Sequence, residues 1–235
     1  MAANAIRQLG PDARKASVDD LLRMAATPNP ADPRRTAHFA AGVALFGSYP
    51  GYGGPTVLNG SKDGVDRNLL YPAIRSLLDN DDSVARGAPG VIFGMLDDRD
   101  LAELLPAIMK AAKEMPPTNE MFADGIFLAA ADLMSRHHIR EGMQLSVDLL
   151  VVPRWGMFAR KDSCPVDLRR YGAHAKEVLP QLAELRQRLT EGVFKQCMDD
   201  IENSTETPPL VSLEEFIEKA RAAGDGATRP TKDQP

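Results

Sequence analysis

The side chains best able to do chemistry in this chain are four histidines, His38, His137, His138 and His174, and two cysteines, Cys164 and Cys197. A helical metal site needs histidines at i and i+4, or His-Glu-x2-His, and neither spacing occurs. His137 and His138 are adjacent near a helix end, so their side chains diverge by roughly 100° and cannot easily share one ion. A histidine there instead complements the helix dipole. The cysteines fit no metal spacing and are too few for a disulfide framework, so the expectation is two buried or half-buried thiols. Cys164 has only His174 near it, ten residues on and past a turn. There is no Gly-x-Ser-x-Gly nucleophile turn. The glycines at 51–54 lack both the preceding strand and the Lys-Ser/Thr ending of a phosphate loop. No catalytic set, metal or cofactor is expected.

Candidate binding residues are of another kind. Gly47 to Asp66 contains Tyr49-Pro50-Gly51-Tyr52-Gly53-Gly54-Pro55, then Gly60-Ser61-Lys62-Asp63-Gly64. A loop of about twenty residues is longer than compact domains usually carry without a purpose. Tyr49 and Tyr52 offer large contact faces with polar tips, or they fold back over the body of the protein. Trp155 occupies a similar bend and suits an anchor. Arg35, Arg86 and Asp124 lie on expected helices and are candidate contacts, with pairing inside the fold the preferred reading for the arginines.

The elements that must position these residues are helical. Aromatic content is only 6%, while alanine and leucine abound, which favours helix over strand. The net charge of −5 argues against a general nucleic-acid binder; Arg34-Arg35 and Arg169-Arg170 read as solvated helix ends. No apolar run is long enough for a membrane span, and Met1 to Arg7 lacks the pattern of a signal peptide. The compartment is therefore cytoplasmic by default, unless the chain is a piece of an exported protein. The first residues resemble the middle of a helix, so a longer parent chain is expected.

Helices are expected at 2–9, 13–26, 33–46, 67–80, 84–96, 101–115, 120–138, 139–151, near 161–171, at 175–190 and at 193–202. Ser212-Leu213-Glu214-Glu215 has the capping-box pattern and opens a last amphipathic helix through Leu213, Phe216, Ile217 and Ala220. The domain reading is a helical-repeat domain at 1–203, a linker and C-terminal amphipathic helix at 204–223, and a disordered tail at 224–235.

The pattern repeats. Leu70-Tyr71-Pro72-Ala73-Ile74 recurs as Leu104-Leu105-Pro106-Ala107-Ile108 and as Val178-Leu179-Pro180-Gln181-Leu182, with a weaker copy at Gly142-Met143-Gln144-Leu145. Each proline removes a helical hydrogen bond and bends its helix. Arg35, Ala37 and Leu45 align with Arg86, Ala88 and Leu96, and Asp32 and Asp82 stand at the turns ahead of them. An amphipathic helix pair leaves an apolar face open and must stack on its neighbour.

These features resemble HEAT repeats over residues 2–190, with 47–66 as an insertion. The resemblance implies an all-α, right-handed α-α superhelix of the armadillo type with about five helix pairs. The stretch from Phe39 through Tyr71, and Met121-Phe122-Ala123-Asp124-Gly125-Ile126, further resemble the C-terminal HEAT region of an uncharacterised family of large bacterial proteins. That family brings no function. Departures are the missing proline at 139–151 and Thr118-Asn119 where a turn aspartate is usual. The reading that follows is a non-catalytic scaffold for another protein or another domain of a parent chain. The alternatives are an accessory segment of a larger hydrolase-like enzyme and a nucleic-acid-binding solenoid.

Overall fold

The computed structural model describes residues 11–27, 31, 36–47, 56–58, 62–113, 125–151 and 157–226. Among these residues all regular structure is helical, apart from one isolated bridge between Ile139 and Val211. The helices are α1 (Pro11–Ala16), α2 (Val18–Ala26), α3 (Thr36–Phe46), α4 (Arg67–Leu78), α5 (Ser83–Gly87), α6 (Asp98–Lys113), α7 (Gly125–Arg136), α8 (Glu141–Val151), α9 (Met157–Arg170), α10 (Ala183–Arg188), α11 (Gly192–Asn203) and α12 (Leu213–Gly226). Two 3-10 segments, Ala88–Met95 and Gly172–Leu182, interrupt the α-helical run.

Local chemistry sets several boundaries. Asp66 caps α4 by accepting from the Asn68 NH, and Asp82 caps α5 by accepting from Val84 and Ala85. The helix expected at 84–96 is α-helical only to Gly87. Beyond it Pro89 has no NH to give, and Gly90 and Gly94 hold a helix weakly, so the chain tightens to 3-10 geometry. Gly90 also permits close stacking, since a Cβ there would stand 2.7 Å from Ala129 Cβ. The stretch read as one helix from 175 is likewise 3-10 around Pro180 and becomes α-helical at Ala183. The helix at 13–26 is broken at Ser17, whose hydroxyl donates back to the Ala13 carbonyl. Conversely, α9 runs through Pro165 and starts earlier than the sequence suggests.

Packing follows two rows. In the first, α2 packs on α4 and α4 on α6, and α8 packs on Gly172–Leu182. In the second, α3 packs on Ala88–Met95, that segment on α7, α7 on α9, and α9 on α11. Rungs such as α2 with α3, α6 with α7, and α8 with α9 join the rows. One apolar core runs between them, from Leu21 and Leu22 through Ile74, Leu105, Phe127 and Leu150 to Ile201. Pro72, Pro106 and Pro180 all lie exposed on first-row elements, where a carbonyl left without its partner NH lies near water.

The C-terminal segment departs from this order. Residues 204–212 run back over the body as a strap. Ala173 NH donates to the Glu206 carbonyl (2.7 Å), Val211 NH to His138 (3.2 Å), and Arg140 NH to Val211 (2.9 Å). A side chain at Gly172 would collide with the strap, its Cβ 2.3 Å from the Glu206 oxygen. The strap delivers α12 to α6, far from its neighbours in sequence.

Candidate binding surface

The seam between α4 and α6 carries a polar ladder. Arg67, Tyr71 and Arg75 recur every four residues and so share one face of α4, and Asp79 continues the row at its C-cap. Tyr71 OH donates to Asp100 (2.7 Å), Arg75 donates to Glu103 (2.7 Å), and Lys110 of α6 donates to Asp79 (2.8 Å).

At the head of the ladder Asp100 has no exposed side-chain surface, yet it is fully partnered. It accepts from Arg67 Nε (2.8 Å), Lys62 Nζ (2.7 Å), Tyr71 OH and the Asp97 NH (3.1 Å). Asp97 answers by accepting from the Asp100 NH (3.0 Å), which makes a reciprocal cap at the start of α6. Burial alone would raise the Asp100 pKa. The bonds from Arg67, Lys62, Tyr71 and Asp97 outweigh it and hold the carboxyl well below the usual carboxylate range. Burial and the Asp100 bond push the Tyr71 phenol upward. Four donors meet the Asp100 carboxylate, and through Lys62 the cluster ties the base of the 47–66 loop to two helices.

Lower on the seam is an open groove of about 450 Å³, lined by Pro72, Arg75, Ser76, Leu78, Asp79, Ala107, Lys110 and Ala111. Behind it stands a constellation that invites a catalytic reading. Ser76 Oγ lies 3.0 Å from His38 Nε2, and His38 Nδ1 lies 2.7 Å from the Asn80 amide nitrogen. The hydrogen-bond polarity is wrong for a nucleophile and base. Asn80 Oδ1 accepts from the Asp82 NH (2.9 Å), which turns the Asn80 NH2 toward His38. Nδ1 must then accept, the proton sits on Nε2, and Nε2 donates to Ser76. A general base needs its lone pair facing the hydroxyl. His38 is a buried tie between α3 and α4.

A second buried polar cluster joins α7 to α9. Arg170 Nη1 lies within hydrogen-bond distance of Asp132 (2.8 Å), Ser135 Oγ (2.7 Å) and Asp167 Oδ1 (2.8 Å), which share its two hydrogens. Asp167 Oδ2 is buried without a hydrogen-bond partner. Burial pushes the Asp167 carboxyl up to about 7, against the pull of Arg170.

The remaining histidines serve structure. His137 is half-buried with its ring 5.0 Å from Phe216 of α12, and burial lowers its pKa. His138 has φ 50°, and His138 NH bonds Ser135 while Ile139 NH bonds Met134, so it fills the position that glycine usually takes after a helix. His174 Nε2 meets the Pro208 carbonyl of the strap at 3.0 Å. Cys164 and Cys197 are both buried, and burial pushes the Cys197 thiol up.

Of the residues singled out from sequence, Arg86 is buried at 7% exposure, inside the stack and off any open face. Tyr49, Tyr52, Arg35, Asp124 and Trp155 lie outside the described residues. The described ends of the 47–66 loop are tied down: Val57 and Leu58 are buried and donate to the Ala44 and Leu45 carbonyls, and Lys62 reaches Asp97 and Asp100. The four-residue spacing of Arg67, Tyr71, Arg75 and Asp79 was the signal that could have marked the α4 face; its pairing with Asp100 and Lys110 had none. Among the described residues no group of three or more His, Cys, Asp or Glu is placed to hold a metal, and no helix is long and apolar enough to cross a membrane. No protein-family model, curated protein or solved structure matches this chain.

Proposed function

We propose that this chain is a non-catalytic helical-repeat scaffold, built as a HEAT-like right-handed superhelix, that holds a segment of another protein or of a neighbouring domain. The observation that carries the reading is the open groove between α4 and α6, with its rims Arg75–Glu103 and Asp79–Lys110. These rim pairs are exposed on both sides, and such pairs contribute about 0–1 kcal/mol each. A visiting polypeptide can therefore exchange its own carboxylates and amines for them at little cost. The reversed polarity at Ser76 and His38 supports recognition rather than hydrolysis in the same groove.

The test is site-specific photocrosslinking from Ala107 in cells, followed by affinity measurement with the partner so captured. Reversing both rim cations, Arg75→Glu with Lys110→Glu, is expected to weaken that partner at least tenfold. Arg188→Glu, on an exposed surface elsewhere, is expected to leave it unchanged. Equal affinity for all three proteins would remove the groove from the reading.

A further inference from the structure

The end of the chain occupies a place on the helical body that its position in sequence does not dictate. Helix α12 packs along α6, and Phe216 covers His137 at the end of α7. Its apolar residues follow the i, i+3, i+4, i+7 spacing of one face. Leu213, Phe216 and Ile217 are only half-buried, and Ala220 is the one fully buried member. Leu101, Leu104, Leu105 and Ile108 of α6 are by contrast wholly buried. Among the described residues no side chain of α12 forms an ion pair with the body. The polar grip is at the N-terminus, where the Glu141 carboxylate accepts from the Leu213 NH (3.0 Å). Such a carboxylate satisfies one of the NH groups that every helix leaves open at its start.

The helix is also equipped to stand alone for a time. Ser212 Oγ accepts from the Glu215 NH (3.2 Å), and Glu215 returns the bond to the Ser212 NH (2.7 Å). Hydrogen bonding to the carboxyl from the Ser212 NH and hydroxyl, and more weakly Arg140, holds Glu215 below its ordinary range. The strap just before it is anchored at Glu206, Pro208 and Val211. The hinge point is therefore Ser212, between an anchored strap and a self-capped helix, and the Glu141 bond to Leu213 is the polar hold that opens when α12 leaves.

From this arrangement we infer that the flank of α6 is a docking slot for an amphipathic helix of another protein, and that α12 is its tethered, displaceable occupant. The slot defines its ligand. The incoming helix carries apolar residues at i, i+3, i+4 and i+7, presents its open N-terminal NH groups to Glu141, and has acidic residues in its first turn near Arg140. Exchange of α12 between two copies of this chain is disfavoured by the same anchors, because a joint at Ser212 gives no reach to a second molecule unless the whole strap is stripped. Tethering sets a high local concentration of α12, so a visiting helix competes only when it binds tightly or arrives in excess. None of the residues that line the groove against α4 belongs to α12, and the inference does not depend on that groove.

The probe is a fluorescein-labelled peptide of residues 211–226, titrated by anisotropy into the full chain and into Phe216→Glu with Ile217→Glu. The variant, with α12 released, is expected to bind the peptide at least tenfold more tightly than the unaltered protein. Hydrogen exchange on the unaltered protein gives a second readout that needs no substitution. The α12 amides are expected to exchange faster than those of α6, and excess unlabelled peptide is expected to speed α12 further while α6 stays protected. Equal peptide affinity in both proteins would overturn the inference, as would exchange of α12 and α6 as one unit with no response to peptide. Peptide-independent dimerisation of the unaltered protein would assign the slot to a second copy and overturn it as well.

Discussion

Asp100 and Asp167 are both buried carboxylates that join one helix to its neighbour, and their environments pull them in opposite directions. Asp100 accepts from two cations, a phenol and a backbone NH. Asp167 shares a single arginine with Asp132 and Ser135, takes one longer bond from the Ser135 hydroxyl (3.3 Å), and has one oxygen without a partner. Burial disfavours the charge of both; the number of donors decides which carboxylate keeps it. A buried ion cluster stabilises only when its hydrogen bonds are complete, so the two seams differ in strength although they look alike in composition.

The largest expected effect comes from breaking the complete cluster. Asp100→Asn leaves Asp97 as the one carboxylate shared by Arg67 and Lys62 and turns an amide NH2 toward donors that now lack an acceptor. A loss of about 2–4 kcal/mol in urea unfolding is expected, below the full penalty for a stranded buried pair because both cations reach some water. A loss under about 1 kcal/mol would mean that the cluster is ornamental.

The two carboxylates also predict opposite pH dependences. The folded-state pKa of Asp100 is depressed, so its stabilisation is present above the ordinary carboxylate pKa of about 4 and is lost as pH falls below it. The folded-state pKa of Asp167 is raised to about 7. The native state then binds a proton that the unfolded chain has released, and stability declines as pH rises from about 4 to 7. Asp167→Asn is expected to abolish that decline and to leave stability at pH 8 equal to or above that of the unaltered protein. Unfolding curves at pH 5, 6, 7 and 8 are the measurement; an unchanged slope would place Asp167 among ordinary ionised carboxylates.

A smaller change sharpens the same contrast. Lys62→Met removes one of the four donors to Asp100 while keeping the aliphatic stem. With three donors left, a cost of about 0.5–1 kcal/mol is expected in the same urea assay. A cost as large as that of Asp100→Asn would show that Lys62, and so the base of the 47–66 loop, holds the seam together.

Much of the local structure was legible because it depends on neighbours in sequence. Asp82 ahead of Val84, and Ser212 with Glu215, announced helix starts that the structure has. The apolar faces of α4 and α6 followed from spacing alone. The 3-10 stretch after Gly87 was missed because the periodicity continues through it, while Pro89, Gly90 and Gly94 weaken the backbone beneath. The convergence on Asp100 joins Lys62, Arg67, Tyr71 and Asp97 across a tertiary contact that no periodicity encodes. The break at 204–209, expected as part of a linker, is polar and ends in two prolines, the composition of a free tether. The anchorage of the strap lies in backbone hydrogen bonds to Ala173, His138 and Arg140, which leave no mark in residue type.

The pairing of α6 with α12 has a consequence for how the protein is made. About a hundred residues separate the end of α6 from the start of α12. At ordinary synthesis rates the ribosome takes roughly 5–20 s to cover that distance. During that interval α4 and α7 can already cover two sides of α6, while the flank meant for α12 stays bare. The nascent chain therefore presents an apolar strip for seconds, long enough for a chaperone or a translating neighbour to find it first.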